Sequence, residues 1–285
     1  MTKVGILTDS TASIPKSLRD ELQIEMVPYY IMRGLDTLRD MVDVQPDEFA
    51  EYLKTTRILP TTSNPSPGDY VTALKKLTEH TWEVVVLTMT SKGSGAYQSC
   101  LAAVDMLRDR MPKLQVEVVD TLTVAMSLGW STIEAARAAK KGLGWKEVVN
   151  RAREVARKST MIMTADTLRY LYMGGRIGRA QHLVGSLLNI KPIIGMEDGI
   201  IVPLGTERTR KKAYARIAEL VREKVGVGSR IKVAFTHVAA LDQLEGLQSL
   251  ILEKFNCVEV LYCSLSSALA VHSGPGTVGI NFFPD

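Results

Sequence analysis

Hydroxyl side chains cluster at four places in the sequence. The clusters are Thr8-Asp9-Ser10-Thr11, Pro60 to Ser66, Thr88 to Gly95 and Asp120 to Thr123. Three of them follow an apolar run typical of a buried strand, and ligands of open parallel sheets bind beyond the carboxyl ends of the strands. Hydroxyl groups donate hydrogen bonds to anionic oxygens. The sequence therefore predicts a polar crevice, suited to an anion, at one edge of a sheet.

Ser94 is the strongest single candidate in these clusters. Its neighbours Gly93 and Gly95 let a ligand approach the backbone, and the apolar spacing that follows predicts a helix from Ser94 to Leu107. The free N–H groups at the start of a helix favour a carboxylate or phosphate oxygen. We expect Ser94 to contact an anionic ligand.

Two glycine-rich segments contribute a histidine and two arginines. His272 precedes Ser-Gly-Pro-Gly, a tightly turned stretch where an imidazole can donate a hydrogen bond to an acid. A carboxylate beside His272 would raise its pKa towards the charged form. The segment from Gly174 to Gly178, with Arg179, is a flexible basic loop suited to a phosphate.

An alternative chemistry is that of a serine-dependent acyl hydrolase, with Ser94 as nucleophile, His272 as base and Asp9 as a third member. The hydrolase elbow places glycines two positions before and after its serine, and here those positions hold Lys92 and Ala96. The chain also lacks the phosphate-cradling P-loop pattern and a metal-ligand spacing among its histidines. We expect no metal and no cofactor, and a phosphosugar or nucleotide binder stays open beside the hydrolase.

The composition is that of an ordinary globular protein. The chain has 285 residues, of which 46% are hydrophobic and 23% charged, with a formal net charge of +4. The densest basic run, Arg208 to Lys212, is too short for a nucleic-acid footprint. No stretch approaches the roughly 18 apolar residues of a membrane span, and the N-terminal apolar run is shorter than a signal peptide's core. We expect a cytoplasmic protein that binds no nucleic acid.

The first half of the chain alternates apolar runs with amphipathic segments. This alternation predicts a parallel sheet covered by helices, a Rossmann-like α/β arrangement. The predicted strands are 4–8, 24–30, 84–88 and 116–120, and the predicted helices are 66–77, 94–107, 124–140 and 145–158.

The second half has a different pattern. Two apolar runs between Lys191 and Val202 are joined by Asp198-Gly199, which predicts an antiparallel hairpin. Helices at 209–225 and 241–255 then alternate with strands at 231–236, 258–265 and 278–283. We expect an α/β domain at residues 1–159, an α+β domain at residues 160–285, and a ligand between them.

Seven motifs follow one another in an order that resembles the DegV family of bacterial fatty-acid-binding proteins, which includes the acyl-binding subunit of fatty acid kinase. The resemblance runs nearly end to end, with departures at Gly93 and Ala96. The motifs are Thr8-Asp9-Ser10-Thr11, Thr62-Ser63-x-Pro65-Ser66, Ser94-Gly95-Ala96-Tyr97, Gly174 to Ile177, Leu187 to Ile193, Arg208 to Ala213, and His272-x-Gly274-Pro275-Gly276.

The resemblance implies a long-chain fatty acid held between two domains, with its tail in an apolar tunnel. It also implies that the chain is not itself an enzyme and presents the carboxylate to a partner, the catalytic subunit of fatty acid kinase, for acyl-phosphate formation. Arg176 and Arg208 match arginines that face this partner or the transferred phosphate. The ligand-binding positions carried over by the motifs are Thr62, Ser63, Ser94, Gly95, His272 and Gly274.

Overall fold

A parallel sheet and a larger mixed sheet form the fold. The computed structural model describes residues 3–183, 190–226 and 228–285. In chain order the strands are β1 (Gly5–Asp9), β2 (Ile24–Val27), β3 (Tyr30–Arg33), β4 (Asp36–Arg39), β5 (Thr61–Ser63), β6 (Glu83–Thr88), β7 (Gln115–Asp120), β8 (Thr160–Thr164), β9 (Lys191–Glu197), β10 (Ile200–Glu207), β11 (Arg230–His237), β12 (Asn256–Ser264) and β13 (Val278–Pro284).

The helices cover both sheets. They are α1 (Lys16–Leu22), α2 (Pro46–Thr55), α3 (Pro67–Thr78), α4 (Ala96–Arg108), α5 (Ala125–Lys140), α6 (Trp145–Lys158), α7 (Arg169–Met173), α8 (Arg210–Val225), α9 (Leu241–Lys254) and α10 (Ser267–Ser273). The motif residues Leu187 to Asn189 lie outside the described residues.

The first sheet has the order β2-β1-β6-β7, and all its pairs are parallel. This confirms the predicted Rossmann-like arrangement. The predicted strand 24–30 is in fact divided at Pro28, which has no N–H to donate to a ladder. Beyond Pro28 the chain leaves the parallel sheet, and β3 joins a small antiparallel sheet of order β4-β3-β5 that the sequence analysis did not predict.

Local capping explains where two predicted helices begin. The Asp69 backbone N–H donates to the Ser66 hydroxyl over 3.2 Å and the Ser66 N–H donates to the Asp69 carboxylate over 2.7 Å, a capping box ahead of α3. The predicted start of α4 at Ser94 was wrong by two residues. Gly95 is its N-cap, so Ser94 lies in the turn before the helix.

The second sheet has the order β10-β9-β8-β13-β11-β12. The predicted hairpin is confirmed, because β9 and β10 pair antiparallel across Asp198 and Gly199, which have φ of 48° and 78°. The described pairs of this sheet are antiparallel except β11 with β12, which α9 connects in parallel. The α+β character predicted for the second half is therefore confirmed.

Helix α5 links the two sheets. It contacts β1 and β6 of the first sheet and β8 and β13 of the second, so it is buried along nearly its whole length. Helix α10 also crosses between the halves, because it packs on α2, β3 and β5. The division at 159/160 stays a prediction. In the described part of the chain, no helix is both long and apolar enough to cross a bilayer.

Candidate functional site

A cavity of about 510 Å³ lies beyond the carboxyl ends of β1, β6 and β7. Both halves of the chain line it, as predicted for a ligand between them. The apolar part of the lining includes Met89, Val124, Leu171, Met196, Ile201 and Leu269. The polar part includes Thr11, Tyr29, Thr62, Ser94, Arg176 and His272. The crevice predicted from the hydroxyl clusters is therefore present, with its wall completed by residues of the second half.

Thr62 and His272 meet at this cavity, although 210 positions separate them in the sequence. Thr62 lies on β5, which pairs with β3, and His272 lies on α10, whose first turn the Ser266 hydroxyl caps. The Thr62 Oγ1 lies 2.8 Å from the His272 Nε2. The small antiparallel sheet and α10 thus place a hydroxyl and an imidazole side by side.

The His272 ring is neutral in this environment. Burial, together with the positive charge of Arg176, lowers its pKa to about 4. The raised pKa expected beside a carboxylate is not found, because the ring is buried and the charged group that acts on it is the Arg176 guanidinium. His272 can therefore donate a hydrogen bond but lends no charge to the site.

The tautomer of His272 follows from its two ring nitrogens. The Nδ1 atom is buried and has no hydrogen-bond partner among the residues that the structure describes. A proton on Nδ1 would be an unpaired buried donor, which costs more than an unpaired lone pair, so the proton belongs on Nε2. The Nε2–H then donates to the Thr62 oxygen, and the Thr62 hydroxyl proton is left for a ligand in the cavity.

The second hydroxyl of the site is that of Ser94. Its Oγ lies 2.6 Å from the Tyr29 hydroxyl and accepts a hydrogen bond from the Ala96 N–H over 3.3 Å. The sequence analysis missed Tyr29, because nothing in the spacing around it shows where its hydroxyl points. Its partner Ser94 was predicted from the glycines that flank it.

The remaining predicted ligand positions have different surroundings. Ser63 lines the cavity, but Gly95 and Gly274 are not part of the lining. A Cβ at Gly95 would lie 3.1 Å from Asn64 Oδ1, and one at Gly274, where φ is +79°, would lie 2.2 Å from the Tyr170 ring. Close packing explains both glycines, and contact of either with a ligand stays a prediction.

Asp9 orients part of the cavity wall. Its carboxylate accepts hydrogen bonds from the Thr11 N–H over 2.9 Å, from the Thr11 hydroxyl and from the Met89 N–H over 3.0 Å. Burial raises the Asp9 pKa to about 6, although these hydrogen bonds favour the ionised form. Both of its partners line the cavity.

These pairings do not form the catalytic arrangement that a serine-dependent acyl hydrolase requires. Ser94 pairs with Tyr29, His272 pairs with Thr62, and Asp9 pairs with Thr11 and Met89. Within residues 3–183, 190–226 and 228–285, the hydrogen bonds do not join a serine, a histidine and an aspartate as nucleophile, base and orienting group. The arrangement is suited to binding an anion.

The two predicted partner-facing arginines lie apart. Arg176 lines the cavity, where its Nη1 donates to the Gly174 carbonyl over 2.6 Å and its Nε to the Gly93 carbonyl over 3.3 Å. Arg208 is exposed between β10 and α8 and is not part of the lining. Lys92, which the sequence analysis did not propose as a ligand contact, also lines the cavity.

The β9–β10 hairpin closes one side of the cavity. The Thr90 hydroxyl donates to the Gly199 carbonyl over 2.9 Å, which fixes the turn against the end of β6. A Cβ at Gly199 would lie 2.4 Å from the Thr90 Oγ1, so only glycine allows this approach. The hairpin was predicted from the sequence, but its contact with Thr90 was not.

Comparison with known proteins shows which family the chain resembles. The DegV family model, described as "Uncharacterised protein, DegV family", matches residues 3–285. A DegV domain-containing protein of Halalkalibacterium halodurans is 34% identical over 284 residues, which cover 99% of each chain. The Protein DegV of Bacillus subtilis is 30% identical over 278 residues, covering 97% of this chain and 98% of that protein.

Solved structures agree with this assignment. A DegV family protein from Thermus thermophilus, described by its fatty acid binding, matches with a TM-score of 0.92 at 29% identity over 100% of both chains. DegV from Bacillus subtilis, described as a fatty acid binding protein, matches with a TM-score of 0.87 at 28% identity, again over 100% of both chains. The chain is therefore a member of the DegV family.

Proposed function

We propose that this chain binds a long-chain fatty acid in the cavity between its two halves. The carboxylate accepts hydrogen bonds from the Thr62 and Ser94 hydroxyls, and the tail lies along the apolar lining. The observation that carries the proposal is one cavity that combines these two hydroxyls with a wall of Met, Leu, Ile and Val side chains. The fatty acids bound by structurally similar DegV proteins support the same ligand class.

The tail supplies most of the affinity. Burial of each methylene contributes about 0.8 kcal/mol, so a long chain outweighs two hydrogen bonds to the head group. Hydroxyl donors at one end of an apolar cavity set the direction in which the fatty acid enters. Thr62 and Ser94 therefore decide orientation and the preference for an acid and add to retention, whereas the apolar wall supplies most of the retention.

We further propose that the chain presents the carboxylate to a separate ATP-using kinase, the catalytic subunit of fatty acid kinase, and is not itself an enzyme. Neutral hydroxyl donors hold the carboxylate without taking its charge, so the carboxylate stays ionised and able to attack a phosphoryl group. The resemblance of Arg176 and Arg208 to partner-facing arginines supports this role. The free state of the three cysteines fits a cytoplasmic location, which belongs to the same proposal.

Native mass spectrometry of the protein purified from a bacterial host tests the proposed ligand. We expect a mass excess equal to a fatty acid, which solvent extraction removes and added palmitate restores. The double variant Thr62→Val, Ser94→Ala should retain less, whereas the matched variant Thr61→Val, Ser91→Ala should retain as much as the unaltered chain. A protein that carries no lipid and takes up no palmitate would rule the proposal out.

The kinase step has its own test. In an assay with palmitate, ATP and a fatty acid kinase catalytic subunit, we expect Arg208→Ala to leave palmitate bound and to lower acyl-phosphate formation. The variant His272→Ala should lower phosphoryl transfer more than lipid retention, because the tail keeps its contacts. Unchanged transfer by Arg208→Ala would remove that residue from the partner surface.

A further inference from the structure

We propose that Tyr29 is a positioning residue that fixes the Ser94 hydroxyl so that its proton faces the bound carboxylate. The inference rests on the proposed function and adds a residue that does not belong to any of the motifs. Tyr29 lies between β2 and β3, and its hydroxyl lies 2.6 Å from Ser94 Oγ at the cavity wall.

The hydrogen-bonding capacity of Ser94 determines what its hydroxyl can offer to a ligand. A serine hydroxyl has one proton and two lone pairs. The Ala96 N–H takes one lone pair over 3.3 Å, and the Tyr29 hydroxyl occupies the second when it acts as donor. With both lone pairs occupied, Ser94 can only donate its proton. A carboxylate, which accepts and does not donate, is the ligand that this arrangement favours.

Tyr29 is held firmly enough to impose this direction. Its backbone N–H donates to the Ser10 hydroxyl over 3.0 Å, and its carbonyl accepts from the Asp40 N–H over 2.8 Å. The side chain is buried, with 4% of the residue exposed. Burial and the negative charge of Asp9 raise the Tyr29 pKa well above its ordinary value, so the phenol keeps a proton that it can donate to Ser94.

The Thr62 hydroxyl has a comparable neighbour in His272. His272 Nε2 lies 2.8 Å from Thr62 Oγ1 as the Tyr29 hydroxyl lies 2.6 Å from Ser94 Oγ, and in the proposed arrangement His272 and Tyr29 are the donors. Each hydroxyl accepts from a buried neutral donor behind it and directs its own proton into the cavity. Two such protons match the two oxygens of one carboxylate.

The test compares palmitate with methyl palmitate, a neutral ligand with the same tail. We expect Tyr29→Phe to weaken palmitate binding about tenfold and methyl palmitate binding less than about twofold. The matched control is Tyr70→Phe. The Tyr70 side chain is fully buried and its hydroxyl has no hydrogen-bond partner in the described part of the chain, so removal of that hydroxyl should change the affinity for neither ligand.

A coupling measurement separates positioning from packing. In a Ser94→Ala background, Tyr29→Phe should have no further effect on palmitate, because the hydroxyl it orients is gone. Site-specific 3-fluorotyrosine at position 29, a stronger donor of nearly the same shape, should shift the preference towards palmitate over the ester. This second variant tests the inference even if Tyr29→Phe does not fold.

Two failures can be told apart. If the unaltered protein binds neither palmitate nor its ester, the proposed function is wrong and the role of Tyr29 fails with it. If the unaltered protein binds palmitate but Tyr29→Phe weakens both ligands equally, or acts fully in the Ser94→Ala background, only the inference about Tyr29 is overturned.

Discussion

His272 shows how burial decides what a single side chain can do. In the sequence it follows an apolar stretch and precedes a glycine-rich turn, a context in which either a charged or a neutral imidazole is reasonable. In the structure, burial and Arg176 favour the neutral ring, and the Thr62 oxygen accepts a hydrogen bond from its Nε2–H. The residue acts by orienting a hydroxyl.

An NMR titration of protein with isotope-labelled histidine rings tests whether His272 is neutral. We expect the ligand-free protein to show a His272 pKa of about 4, with the proton on Nε2 at neutral pH, because burial disfavours the imidazolium. A His272 pKa above that of a free imidazole would contradict the neutral ring.

For individual residues, the sequence predicted which side chains line the site better than it predicted their protonation states and hydrogen-bond partners. Thr62, Ser94 and His272 came from hydroxyl clusters, glycine neighbours and the family resemblance, and all three line one cavity. Tyr29 could not be predicted, because its role depends on Pro28 diverting the chain out of the parallel sheet. The pKa of His272 could not be predicted either, since it depends on burial by residues far away in the sequence.

The secondary-structure elements that carry the site are joined through one residue, Asp40. Its carboxylate accepts from the Ser10 hydroxyl over 2.7 Å and from the Ser267 N–H, at the start of α10, over 2.9 Å. Its backbone N–H holds the Tyr29 carbonyl. One buried residue thus connects the strand that leads to Tyr29 with the helix that carries His272.

The variant Asp40→Ala should lower the free energy of unfolding by about 3 kcal/mol, because it leaves a buried N–H and a buried hydroxyl without an acceptor. Urea unfolding followed by circular dichroism measures the change. The control Asp36→Ala removes an exposed carboxylate that forms a surface ion pair with Arg33, and its effect should stay below about 1 kcal/mol. Equal effects of the two variants would show that Asp40 does not hold these elements together.

Elements with strong local signals were the ones predicted from sequence. The Ser66 capping box and the Asp198-Gly199 turn fix α3 and the β9–β10 hairpin through neighbouring residues alone. Strand β5 has three polar residues and exists because β3 pairs with it, so a local pattern could not reveal it. Helix α10, with seven residues, depends in the same way on its packing against the first half.

On the scale of the whole molecule, a buried ion cluster ties α5 and α6 to the second sheet. Glu134 on α5 accepts from Arg137 over 2.9 Å, from Arg151 on α6 over 2.6 Å and from Lys232 on β11 over 2.8 Å. Burial alone would raise the Glu134 pKa, but these cations outweigh it and lower the pKa to about 2.

This cluster predicts acid sensitivity. Because the folded-state pKa of Glu134 lies below its ordinary value of 4.5, its stabilisation is complete above that pH and is lost as the pH falls towards about 2. The loss amounts to about 3 kcal/mol. In urea unfolding, Glu134→Gln should be less stable than the unaltered chain at pH 7, and the gap should close between pH 4.5 and pH 2.

The matched control is Glu219→Gln, which removes an exposed partner of Arg216 on α8. Its difference from the unaltered chain should be small at every pH, because an exposed ion pair contributes little. A gap for Glu134→Gln that stays constant down to pH 2 would show that Glu134 is not stabilised by its ionised form.

The overall architecture was largely predictable, because alternating apolar and amphipathic segments specify a parallel sheet in the first half and the hairpin specifies antiparallel pairing in the second. The contacts between the two halves could not be predicted. The contacts of α5 with both sheets and of α10 with β5 join residues distant in sequence, and no periodic pattern encodes them.

A crystal structure of the palmitate complex would test most directly whether the cavity holds a fatty acid in the proposed orientation. We expect elongated density along Met89, Val124 and Met196, ending in a carboxylate within hydrogen-bonding distance of Thr62 Oγ1 and Ser94 Oγ, which both face the cavity. Density confined to the surface, or a carboxylate at the opposite end of the cavity from these two hydroxyls, would contradict it.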